Sequence, residues 1–65
     1  MTTPDRAIMI TGEIGRYRAR KVGVRYGAPV YEVLLDDGTP DPSWQAFRLQ
    51  PEDYIDMGEW EEETP

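Results

Sequence analysis

Apolar and polar positions alternate most clearly in Val30–Leu35, where Tyr31, Val33 and Leu35 fall on one side and Val30, Glu32 and Leu34 on the other. That period of two predicts a strand. Asp36-Asp37-Gly38 follows it and matches a hairpin turn, because Asp-Gly accepts positive φ. Trp44–Leu49 alternates again and predicts a return strand paired with Val30–Leu35. Upstream, Ala7–Thr11 is a short apolar run with strand propensity, Gly12 and Gly15 mark a bulge or sharp bend, and Tyr17–Val24 continues extended. Tyr26–Pro29 is a turn signal. Pro51 before Glu52 and Asp53 predicts one helical turn, since Pro suits the first helical position and acids suit the N-terminal dipole. Tyr54–Met57 then reads as a last strand. The alternative, a short helix over Pro51–Glu62, is disfavoured by Gly58, which costs a helix roughly 1 kcal/mol against Ala.

This pattern predicts an all-β chain of about five short strands with one 3₁₀ turn, either a small barrel or a strongly bent antiparallel sheet. The expected organisation is a frayed end at 1–5, one domain at 6–58 and an acidic flexible tail at 59–65. The order of strands, hairpin, helical turn and last strand over about Ala7–Met57 resembles the SH3-like small β-barrel group. The peptide-binding SH3 family carries an ALYDY-type segment and a paired tryptophan, both absent here, so the resemblance does not imply proline-rich peptide binding. Tudor-like members use an aromatic cage, and Tyr17, Tyr26, Tyr31 and Trp44 are the residues that would supply one.

With 65 residues the chain is one domain at most. It buries about 60% of the surface its unfolded form exposes, so its core is thin. There is no Cys and no His, which removes disulfides, the usual zinc ligands and the common nucleophile–base pairs. Ser43 lies in a Pro-rich turn and reads as a turn residue. Asp36, Asp37 and Asp41 do not match a calcium-loop spacing, and Gly12-x-x-Gly15 lacks the Lys-Ser/Thr ending of a phosphate loop. A non-enzyme without metal or cofactor is expected. No run approaches the ~20 apolar residues that span a membrane, and Met1–Asp5 does not resemble a signal peptide, so a cytoplasmic location is expected. Six Arg against one Lys and no Asn point compositionally to a bacterial or phage source.

Charge changes the picture most. Net charge is −6, but residues 1–27 hold six bases against two acids, whereas residues 28–65 hold one base against eleven. Arg16, Arg18, Arg20, Lys21 and Arg25 crowd one stretch, and an extended backbone sets Arg16, Arg18 and Arg20 on one face. Three roles compete: binding phosphates, pairing with Glu32, Asp36, Glu52, Asp53 or Asp56 of the chain itself, or forming part of an interface. Each exposed internal pair would contribute only about 0.2–1 kcal/mol, yet internal pairing is the expectation. Trp60 stands among Glu59, Glu61, Glu62 and Glu63 and is either an anchor for a partner or a cover for the end of the barrel. The expected function is an acidic protein-binding module, accessory or inhibitory, that docks on a basic protein surface through Trp60, Glu59, Glu61, Glu62 and Asp56. The alternative is a small nucleic-acid-binding barrel using Arg16, Arg18, Arg20, Lys21 and Arg25.

Overall fold

The computed structural model describes residues 4–61, and Met1–Thr3 and Glu62–Pro65 lie outside the described residues. The chain is all-β. Strands β1 (Arg6–Ile10), β2 (Tyr17–Arg25), β3 (Ala28–Leu34) and β4 (Tyr54–Glu59) form one antiparallel sheet in the order β3-β2-β1-β4. Two 3₁₀ turns, Pro42–Trp44 and Pro51–Asp53, lie between β3 and β4. Among the described residues the sheet is open rather than a closed barrel, with four strands where about five were expected.

Each connection follows from local chemistry. Tyr26 (φ 53°) and Gly27 (φ 79°) make the two-residue turn between β2 and β3, whose positive φ at both positions suits the right-handed twist of a hairpin. Seven register pairs from Arg18–Leu34 to Arg25–Ala28 then make β2–β3 the long hairpin of the molecule, with a bulge between Lys21 and Gly23. The Asp36–Gly38 turn forms where the sequence predicts it, closed by Leu35 N–H to the Thr39 carbonyl at 2.7 Å, with Gly38 at φ 91°.

The return strand Trp44–Leu49 does not form. Pairing stops after the Leu34–Pro40 bridge and the Asp41 N–H to Val33 carbonyl bond. Pro40 and Pro42 have no N–H to continue a ladder. Asp41 then caps the 3₁₀ turn by accepting from the Ser43 N–H at 2.9 Å. The chain rejoins β3 at a single point, where Leu49 and Tyr31 exchange both backbone bonds.

The second 3₁₀ turn is held by a reciprocal cap. The Gln50 N–H donates to the Asp53 carboxylate at 3.0 Å, with Pro51 at the first position. β4 follows directly, so Tyr54–Met57 is strand and not helix.

The core sits on one face of the sheet: Ile8, Ile10, Ala19, Tyr31, Val33 and Leu49 are buried, with Tyr17, Trp44 and Tyr54 packed around them. Tyr31 and Tyr54 meet edge to face at 4.9 Å, and the Tyr54 hydroxyl donates to the Pro29 carbonyl at 2.6 Å. On the opposite face, Arg18 stands in register between Ala7 and Leu34, both buried. A long methylene stem covers apolar neighbours in such a position.

Candidate functional site

The basic stretch is divided by the fold. Arg18 and Arg20 point to the same face of β2, as the alternation predicts, but each meets a carboxylate of the chain. Arg18 pairs with Asp5 at 2.7 Å, with both side chains largely shielded, and donates to the Asp36 carbonyl at 2.7 Å. A Cβ at Gly38 would stand 3.3 Å from the Arg18 guanidinium, so glycine serves this turn through both its φ and the space it leaves. Arg20 pairs with Glu32 at 2.9 Å, directly across the ladder. Arg16 precedes β2 and lies over the Trp60 ring at 5.9 Å. Lys21 is exposed, and Arg25 reaches Gln50 at 2.9 Å and lies 5.0 Å from the Tyr26 ring. Neither Lys21 nor Arg25 has an ion-pair partner among the described residues. Tyr26 is 88% exposed at the hairpin tip.

Of the acidic residues singled out from sequence, Asp56 is drawn inward. It pairs with Arg6 at 3.0 Å, accepts from the Gly58 N–H at 2.8 Å and from the Tyr31 hydroxyl at 3.4 Å. Partial burial pushes its pKa up, but the Arg6 hydrogen bond and the Gly58 N–H outweigh that and hold the carboxyl below its ordinary value. Asp56 therefore stabilises the fold above its unfolded pKa of about 3.9, and that contribution is lost as pH falls through the lower folded value. An acid melt should show stability falling below about pH 4, with a smaller fall in Arg6→Gln; identical acid limbs in the two proteins would show that the pair does not carry the effect.

Glu59 lies opposite Arg6 and is exposed, as is Glu61. Glu62 lies outside the described residues. Trp60 is half-buried, and its N–H donates to the Asp5 carbonyl at 2.8 Å. Asp5 thus ties Trp60 by its backbone and Arg18 by its side chain. No local pattern signals this, because the partners come from opposite ends of the chain.

The aromatic cage does not assemble from Tyr17, Tyr26, Tyr31 and Trp44. Tyr31 is core and Tyr26 is at the hairpin tip, while Tyr17 and Trp44 meet edge to face at 6.0 Å. Trp44 and Phe47 instead line an open cleft of about 240 Å³ with Ile10, Thr11, Arg48, Leu49 and Asp53. Among the described residues, no three His, Cys, Asp or Glu side chains converge as a metal site, and no helix is long and apolar enough to cross a membrane.

The surface that sequence reading missed is the back of β4. Met9 and Ile55 pair across β1 and β4, and Met57 follows Ile55 on the same side. They are 37%, 63% and 52% exposed. Mixed alternation in Tyr54–Met57 shows a strand but not which of its sides is covered. Compared with known protein families, curated proteins and solved structures, the chain matches none of them.

Proposed function

We propose that this chain is a non-catalytic protein-binding module whose β4 side docks on a basic surface of another protein. The observation that carries this reading is the exposed apolar group Met9, Ile55 and Met57, on and beside a strand that ends at the exposed Glu59 and leads to the exposed Glu61. Apolar side chains supply the buried area of an interface, and surrounding charge steers the partner and selects it. The half-buried Trp60 adds a further aromatic surface at the same end of β4. Asp56 contributes charge, but its oxygens are already engaged by Arg6 and Gly58. In this reading the protein is an accessory or inhibitory protein of bacterial or phage origin that acts in the cytoplasm. The likeness to SH3-like barrels bears on the architecture alone.

A second reading has a specific observation of its own. Lys21, Arg25 and the exposed Tyr26 share the β2–β3 hairpin, an arrangement that suits stacking on single-stranded nucleic acid. Against it stand the eleven acids of residues 28–65 and the internal pairing of Arg18 and Arg20.

The experiment is affinity capture of partner proteins from a bacterial lysate with the wild-type chain and with Ile55→Glu. A partner retained by the first and lost by the second, with both chains equally folded by circular dichroism, is the expected result. Equal capture by the two would remove the β4 side from the interface.

A further inference from the structure

The two edges of the sheet are treated differently. β3 is closed by the 40–49 segment, through the Tyr31–Leu49 pair and the Leu34–Pro40 bridge. β4 has no strand beside its outer edge among the described residues. Edge strands are usually guarded by Lys, Pro, a bulge or an inward-pointing charge; in β4 the inward-pointing Asp56 is neutralised by Arg6. Tyr54–Glu59 contains neither Lys nor Pro. Its irregularity lies towards its end, opposite Arg6–Ile8, where Gly58 has φ 109°. Tyr54–Asp56 is left regular.

The ladder phase decides which groups face outward. The Thr11 N–H bonds the Asp53 carbonyl at 2.9 Å. In an antiparallel pair such bonding alternates, so Asp53 and Ile55 turn their backbone groups to β1 and Tyr54 and Asp56 turn theirs to the open edge. Ile55 and Met57 flank these groups with exposed apolar side chains, and Met9 continues the patch.

The charge along this edge identifies what fits it. Residues 52–61 hold five acids and no base: Glu52 and Asp53 before the strand, Asp56 within it, and Glu59 and Glu61 at its far end. A second copy adding its own β4 would set acids against acids, which destabilises strand pairing. A basic segment would meet opposite charge at the two ends of the strand, from Glu52, Glu59 and Glu61, whereas Asp53 caps the Gln50 N–H and Asp56 pairs with Arg6.

We propose that the open edge of β4 receives an extended basic segment of a partner protein as a fifth strand. Its backbone pairs with Tyr54 and Asp56, and its alternate apolar side chains lie over Met9, Ile55 and Met57. This rests on the protein-binding reading and specifies its mode.

The test is a titration of the full-length, ¹⁵N-labelled chain with a synthetic peptide of alternating Lys and Val, followed by amide shifts and hydrogen exchange. The expected result is shift changes at Met9 and 54–57, with exchange at the Tyr54 and Asp56 amides slowed at least tenfold at saturation. The same peptide N-methylated at its pairing residues should lose binding, a comparison that leaves the protein unaltered. Ile55→Lys, which restores a guard residue at an exposed position, should weaken binding at least tenfold. Unchanged exchange at Tyr54 and Asp56, equal binding of a Glu–Val peptide, or dimerisation through β4 in place of peptide binding would each overturn the proposal. If the strand test fails while Ile55→Glu still loses its captured partner, the partner docks as a folded surface, and the protein-binding reading stands without the added strand.

Discussion

Ile8→Ala is expected to lower the melting temperature by roughly 10–25 °C, the larger of two expected losses of stability. Ile8 is fully buried at the centre of the sheet, flanked in register by Tyr17 on β2 and Asp56 on β4. Truncating a buried isoleucine costs about 2–5 kcal/mol, because the cavity collapses only partly. A chain of this length has a total stability of roughly 3–10 kcal/mol. With no disulfide available, little else compensates. Thermal melts followed by circular dichroism check this, with Ile8→Val expected to cost only about 0.5–1.5 kcal/mol. A shift of a few degrees for the alanine variant would mean that the core is more plastic than its burial implies.

Arg18→Glu is the second, with an expected loss of about 2–4 kcal/mol. The guanidinium bonds Asp5 and the Asp36 carbonyl, and the Arg18 and Asp5 side chains are only 13% and 20% exposed. This is not the exposed pair whose removal goes unnoticed. The substitution also places a second carboxylate beside Asp5 and frees the turn that Arg18 holds against Gly38. Urea denaturation should show a lower midpoint with an unchanged slope. A wild-type midpoint would show Arg18 to be dispensable to the fold. The sequence predicts internal pairing for this arginine, and it fastens the back of the sheet through Asp5, an acid outside the partners the sequence singled out.

The elements legible in the sequence are those whose cause is local. The Asp36–Gly38 turn, the Pro51–Asp53 turn and the strands β1 and β4 follow from Asp-Gly chemistry, from Pro before acids and from short apolar runs. The partner of β3 was not legible, because alternation in Trp44–Leu49 is the same whether or not a ladder forms. Pro40 and Pro42 carried the contrary signal, and the two-residue turn at Tyr26–Gly27 pointed to β2 instead. The site is less legible for the same reason. Arg20 with Glu32 could be foreseen from alternation across a sheet. Arg6 with Asp56, Arg18 with Asp5 and Arg16 over Trp60 join residues whose neighbourhood only the topology creates. Exposure of Ile55 and Met57 depends on which side of an edge strand is left bare.

The protein-binding and nucleic-acid readings place the partner on different surfaces, and two variants separate them without disturbing the core. Ile55 is mostly exposed, and Lys21 and Arg25 are exposed without ion pairs among the described residues. The decisive measurement is the affinity of a captured partner for wild type, Ile55→Glu and the double variant Lys21→Glu/Arg25→Glu, by calorimetry at physiological salt. Binding through the β4 side predicts at least a tenfold loss, about 1.4 kcal/mol, in Ile55→Glu and little change in the double variant. The reverse order, with affinity lost in Lys21→Glu/Arg25→Glu and kept in Ile55→Glu, would contradict it and move the functional surface to the β2–β3 hairpin.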